Sequence, residues 1–312
     1  MNPLDFLPNS TDILVIDGLN LAFKSAYSLS RLKVGDESTG VIYGMLNSIF
    51  TSMQEFQPKV VFLVWEGRNS KARRKEIYPE YKEGRKSDLD VESVFAQTEI
   101  VEDILRMCGV GVVKETGFEA DDSISALASF GLKTVIVSSD NDLLQLLTPK
   151  VSRYNVGECT HITYNNFNEQ KGLSFPIERF VDFKVLTGDS SDNIVGVKGV
   201  GKKTADKLLS QYSLDEYIAT GEASIPRTKN IFNSVAVIER NRLLIDLKYN
   251  QTRERRLELL SNLKIDEVDF DDVLDMLETY EMWTLLDKAD EFVSTFQRLR
   301  SEEVLKEMEE NV

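Results

Sequence analysis

Acidic residues recur in this chain where a carboxylate could hold a metal. The apolar run "DILVID" ends on Asp17, and "KVVFLVWEG" delivers Glu66. "EADD" brings Glu119, Asp121 and Asp122, "SSDND" brings Asp140 and Asp142, and "GDSSD" brings Asp189 and Asp192. On a helix, Glu119 and Asp122 share a face. Carboxylates crowded together repel and raise one another's pKa, so a positive partner is required to keep them ionised. The chain has one histidine, His161, and two cysteines, Cys108 and Cys159, which excludes any two-histidine mechanism and a histidine-rich zinc site. Ligation by oxygen alone selects a hard cation, Mg²⁺ or Mn²⁺. So many acids are expected to hold two ions, as in enzymes that cleave phosphodiesters. One ion lowers the pKa of the attacking water and the other stabilises the departing oxygen, so no protein nucleophile is needed.

Two further stretches bear on the substrate. "RNSKARRKEIYPEYKEGRKSD" (68–88) has eight basic residues, among them Lys82, Arg85 and Lys86, against four acids, in a chain of net charge −15. Tyr78 and Tyr81 are interleaved with them, a composition expected of a single-stranded nucleic-acid groove. "GVKGVGKKTA" nearly spells a nucleotide phosphate loop, but Lys203 stands where the magnesium-binding hydroxyl belongs and Thr204 comes one residue late. It reads instead as a helix-hairpin-helix. Gly196, Gly199 and Gly201 bend the chain, a helix starts near Lys202, and Lys198, Lys202 and Lys203 add charge. Such a loop grips a duplex backbone without reading sequence.

The elements that must position these residues alternate. Strands are expected at 12–17, 59–67, 110–115 and 133–142, and helices at 40–56, 94–109 and 119–131. That predicts an α/β fold with a mostly parallel sheet flanked by helices, its site at the carboxyl ends of the strands. From about Pro176 the pattern is helical, and the acidic close "EEVLKEMEENV" is expected to fray. No apolar run approaches the ~18–20 residues that span a bilayer. The start "MNPLDFLPNS" lacks the basic and apolar regions of a secretory signal, and the low cysteine content fits a reducing cytoplasm.

As an ordered set, "DGLNLAF", "WEGRNSKARRKEIYPEYKEGR", "GFEADD", "SSDNDLLQL" and "LTGDSSDNIVGVKGVGKKTA" resemble the 5′-nuclease family over about residues 12–245. This family comprises flap endonucleases, bacteriophage 5′–3′ exonucleases and the 5′-nuclease domain of bacterial DNA polymerase I. With no polymerase domain, the chain is similar to the free-standing bacteriophage type. The resemblance implies a PIN-like nuclease core over 1–175, with a basic helical arch at about 68–100. It also implies a helical DNA-binding region over 176–312, with a helix-hairpin-helix (helix-3-turn-helix) at about 185–212. Asp17, Glu119, Asp121, Asp122, Asp140, Asp142, Asp189 and Asp192 would be metal ligands, and Glu66 stands where the family usually has aspartate. Lys82 and Arg85 match arch residues that would act on the scissile phosphate, as would Lys24. Tyr81, Lys86 and the hairpin residues Gly196 to Thr204 would hold DNA.

The implied activity is Mg²⁺-dependent hydrolysis near 5′ ends of branched DNA, for primer removal in replication and repair. A K⁺ ion at the hairpin, 5′-flap or RNA-primed DNA as substrate, replication proteins as partners, a monomeric state and a cytoplasmic location (the host's, for a bacteriophage enzyme) belong to the same expectation. The alternatives are an inactive junction-binding protein and a PIN-type ribonuclease.

Overall fold

β-Branched and aliphatic runs bounded by helices make the central sheet. The computed structural model describes residues 11–84, 88–225, 227–249 and 251–312. Its strands are β1 (Thr11–Asp17), β2 (Lys33–Val34), β3 (Glu37–Ser38), β4 (Pro58–Val64), β5 (Gly111–Val113), β6 (Thr134–Val137), β7 (Val151–Asn155), β8 (Thr160–Ile162), β9 (Gly188–Asp189) and β10 (Ile194–Val195). One sheet has the order β5-β4-β1-β6-β7-β8, while β2–β3 and β9–β10 are separate pairs. The main sheet is parallel except at its edge, where β8 runs antiparallel to β7. Ile13 to Ile16 and Val60 to Val64 are wholly buried, as expected of parallel strands covered on both faces.

One face carries Leu14, Ile16, Val61 and Leu63 against the helices Gly40–Phe56 and Val91–Met107. The other packs Ile13, Val15, Phe62 and Val64 against the helix Ala120–Ala128. A third apolar cluster, with Phe167, Phe175, Phe183, Leu208, Tyr217 and Leu244, forms the helical region up to about Ile245.

Register sets the functional edge. Asp17 pairs with Val64, Ile16 with Val137 and Val64 with Val113. The chain after each of these strands therefore leaves from the same carboxyl end. Asp17 is the last residue of β1, Glu66 follows β4, Glu119 opens the turn into the helix after β5, and Asp140 follows β6.

Three expectations need correction. The sequence pattern did not reveal β7 and β8: "VSRYN" interrupts its apolar residues with Arg153, which is buried and donates from Nη1 to Ser138 O (3.0 Å). The acidic close does not fray. It forms the helix Ser301–Glu310, whose Val304 and Met308 are fully buried in the same cluster as Phe62. The helices after Phe270 also pack on the sheet side rather than with the helical region: Val273, Leu277, Phe292 and Phe296 join the cluster of Leu14 and Leu63. No helix among the described residues is long and apolar enough to cross a membrane.

Candidate active site

At the carboxyl edge of the sheet, one group of acids makes no direct ion pair among the described residues, although Lys82 acts on Glu66 and Asp121 from a distance. Asp17 caps the helix Gly18–Ser28, accepting from Asn20 N (3.3 Å) and from Ser138 Oγ (2.7 Å). Burial pushes its carboxyl up to about 7, with Asp140 and Glu66 adding to the rise. Asp121 is raised well above the carboxylate range by burial and by Asp140 and Asp17. Burial also raises Glu66, and Glu119 pushes the same way. Glu66 Oε2 is shut off from solvent and has no hydrogen-bond partner.

A second group is neutralised from within. Glu119 and Asp122 form a reciprocal cap on the helix Ala120–Ala128. Arg74, 3% exposed, reaches Glu119 Oε2 (2.6 Å) with Nη1 and both Asp122 oxygens (2.7 and 2.9 Å), while its Nε donates to Leu244 O (3.0 Å). Burial would raise Asp122, but the Arg74 guanidinium outweighs it and holds that carboxyl below its usual range. Lys82 Nζ lies 2.5 Å from Glu119 Oε1 and 3.8 Å from Asp192 Oδ2. Lys184 bridges Asp142 Oδ1 (2.6 Å) and Asp189 Oδ2 (2.5 Å). Burial would lower the Lys184 ammonium, but these two acids push it up to about 12. Asp189 is pulled down despite its burial, by Lys184 and by Ser191. Asp142 is raised by burial and Asp140 to about 7, although Lys184 opposes the rise.

The structure thus brings the acids to one edge, yet among the described residues no three of them already stand as a closed cage for an ion. Arg74, Lys82 and Lys184 occupy several of the oxygens. The donor set nevertheless fits a hard divalent cation. It is all oxygen, several members are buried beside like charges, and Glu66 offers an unpartnered oxygen.

The basic segment departs from expectation in its aromatics. Tyr81 is 2% exposed, and its hydroxyl lies 2.9 Å from Glu119 Oε2 and 3.0 Å from Asp192 Oδ2, donating to one at a time. Arg240 covers the Tyr78 ring, Cζ 4.5 Å from the centroid. Tyr81 is therefore no stacking platform, because the segment docks on the turn between β9 and β10: Lys82 N donates to Asp192 O (3.0 Å) and Asn193 Nδ2 to Glu80 O (2.8 Å). Arg85 and Lys86 lie outside the described residues. Lys24 hydrogen-bonds Asn155 Oδ1, at the end of β7.

The glycine-rich stretch folds as a hairpin entering the helix Lys202–Leu209, anchored by buried Val197 and Val200. Gly199 needs its glycine for a φ of +85°. Gly196 does not face outward, because a Cβ there would stand 2.4 Å from Thr187 C. The close backbone packing there requires glycine. Lys198, Gly199, Gly201, Lys202 and Lys203 are exposed and Thr204 is half-buried. The signals for Arg74 and Lys184 were weak: each is a lysine or arginine in a charged or amphipathic context, and only tertiary burial marks it.

A carboxylate-lined edge beside a basic segment and a glycine hairpin defines a class of phosphodiester-cleaving enzymes. Residues 12–172 match the family described as 5′-3′ exonuclease, N-terminal resolvase-like domain, and residues 175–269 match the 5′-3′ exonuclease C-terminal SAM fold. The chain belongs to the 5′-3′ exonuclease family. It is 31% identical over 253 residues to a 5′-3′ exonuclease of Bacillus subtilis (strain 168), covering 77% of this chain and 84% of that protein. It is 29% identical over 283 residues to DNA polymerase I of Caldicellulosiruptor bescii, covering 82% of this chain but 33% of the polymerase. Among solved structures, T5 5′-exonuclease with zinc bound aligns with a TM-score of 0.65 at 19% identity, covering 92% of this chain and 99% of that one. The catalytic core of Rad2 in complex with DNA substrate aligns at 0.56 and 17%, covering 92% of each chain. At such identities these two likenesses are of fold.

Proposed function

We propose that the chain is a Mg²⁺-dependent enzyme, with Mn²⁺ able to substitute, that hydrolyses phosphodiester bonds near the 5′ ends of branched DNA. Flaps and RNA-primed 5′ strands would be its substrates, and primer removal in replication and repair its role. The observation that carries the reading is the buried, unpartnered Glu66 Oε2 beside raised Asp17 and Asp121.

Asp17, Glu66, Asp121 and Asp140 would hold one ion. Asp142, Asp189 and Asp192 would hold a second, after Lys184 and Lys82 give up their oxygens, while Glu119 and Asp122 stay on Arg74. When bound, the ions supply a water of lowered pKa and a counter-charge for the leaving oxygen. Lys82, released from Glu119, donates to the scissile phosphate, with Arg85 beside it and Lys24 further along the edge. The hairpin lysines Lys198, Lys202 and Lys203, with Thr204 and the turn at Gly199 and Gly201, hold the duplex arm. A K⁺ ion at the hairpin carbonyls belongs to the same reading, as do a monomer, replication proteins as partners and a cytoplasmic location.

The test is a 5′-labelled flap incubated with Mg²⁺, with Mn²⁺ and with a chelator. Short 5′ products that require the divalent ion support the reading. No product with any divalent metal across pH would leave a junction-binding protein, and preference for single-stranded RNA would leave a ribonuclease.

A further inference from the structure

The turn that delivers Glu119, Asp121 and Asp122 is gripped from two sides. On one side is Gly67, directly after Glu66. A Cβ on Gly67 would stand 1.6 Å from Glu115 O, and Gly67 N donates to Phe118 O (3.1 Å). On the other side is Arg255, in the first turn of the helix Arg253–Asn262. Its guanidinium lies on the Phe118 ring, Cζ 3.7 Å from the centroid, and Nη2 donates to Glu115 Oε2 (3.2 Å). The same Glu115 oxygen accepts from Ser123 Oγ (2.5 Å), one residue beyond Asp122. Gln251 Nε2, one turn before Arg255, donates to Asp122 O (3.1 Å).

Arg255 is a poor choice for stability alone. It is 6% exposed, and its Nε and Nη1 are cut off from solvent without a hydrogen-bond partner. Unsatisfied buried donors are costly, and a buried ion pair such as Arg255–Glu115 is often replaced as a whole by apolar residues of similar volume without loss of stability. What the arginine adds is direction: a flat stack on Phe118 and a charged bond to Glu115 fix the turn between Glu66 and the acidic helix start.

We propose that Arg255 is a positioning residue of the nuclease site, setting through Glu115 and Phe118 the place of the Glu66 and Glu119–Asp122 carboxylates. The inference rests on the metal-dependent reading of that site. Groups that orient metal-binding side chains change metal affinity or activity by about 10–100-fold when removed.

The experiment compares the wild-type chain with Arg255→Met, Glu115→Gln and the double variant. Each is titrated with Mn²⁺ by calorimetry without DNA, melted, and assayed on a 5′-flap DNA. The expected result is Mn²⁺ affinity and kcat each lowered about 10-fold or more, with KM for the flap held. Each single variant also loses melting temperature by leaving one charge buried alone, and the double variant recovers melting temperature without recovering Mn²⁺ affinity. The double variant should be no worse than either single one, because both break the same link. Arg255→Met with wild-type Mn²⁺ affinity overturns the inference, as does a loss that merely follows melting temperature. If Arg255→Met does not fold, Glu115→Gln decides by the same criteria. A wild-type chain that takes up no Mn²⁺ overturns the metal reading itself.

Discussion

Two halves of one acidic cluster are treated in opposite ways. Glu119 and Asp122 meet Arg74 and Asp189 meets Lys184, so their charge is balanced inside the protein; Lys184 also reaches Asp142, which burial and Asp140 still raise. Asp17, Glu66 and Asp121 are raised by burial and by neighbouring acids: Asp140 and Glu66 act on Asp17, Asp140 and Asp17 on Asp121, and Glu119 on Glu66. Proximity at a sheet edge is common to both halves, so it cannot be what separates scaffold from chemistry. The separation lies in direct pairing: where Arg74 or Lys184 bonds the acid it organises structure, and where Lys82 acts only from a distance, on Glu66 and Asp121, a cation is proposed to come from outside.

The largest expected effect falls in the half without direct ion pairs. Asp140→Asn should lower cleavage by roughly 10³-fold or more, the equivalent of losing several kcal/mol of metal-supplied stabilisation, while flap binding in Ca²⁺ persists. Normal turnover in a single-turnover assay would erase the distinction between the halves. In the ion-paired half the loss should appear as stability. Arg74→Met leaves Glu119 and Asp122 buried without their cation, and breaking such a pair costs about 3–5 kcal/mol. A urea midpoint equal to that of the wild type would show that Arg74 is not the counter-charge. Lys82 stands between the two, structural on Glu119 here and proposed to act on phosphate. Lys82→Ala should lower turnover by about 10²-fold, and a wild-type rate would confine Lys82 to its place on Glu119.

The carboxylates of both halves were legible in the sequence. Hydrophobic runs that stop at Asp17 and just before Glu66 announce strand ends, and a parallel sheet gathers such ends at one edge. The helix cap at Glu119–Asp122 was equally visible. The internal cations were not. Arg74 sits in a run of basic residues whose local pattern is that of a solvated surface, and its burial depends on Leu244, far away in the chain. Tyr81 misled for the same reason: its neighbours are charged, but β9 and β10 fold over it. The helices after Phe270 were recognisable as helices. Which cluster they join is decided by side chains at long separation, such as Phe292 against Phe50 (centroids 5.2 Å apart), and periodicity carries no such information.

The smallest effect expected is at the hairpin, and it sharpens the comparison from outside the acidic cluster. A chain of net charge −15 should repel DNA on average, so binding must rest on local patches such as exposed Lys198, Lys202 and Lys203. Each phosphate contact contributes about 0.9 to the slope of log affinity against log salt. Lys203→Ala should therefore weaken flap binding in Ca²⁺ only a few-fold at moderate salt, while lowering the slope by about 1. Fluorescence anisotropy between 50 and 200 mM salt, the range over which such contacts are resolved, measures both quantities. If the slope of the wild type were flat, the hairpin would not be the duplex grip. If the slope were steep but unchanged in Lys203→Ala, the contacts would lie elsewhere, in the basic segment that follows Glu66.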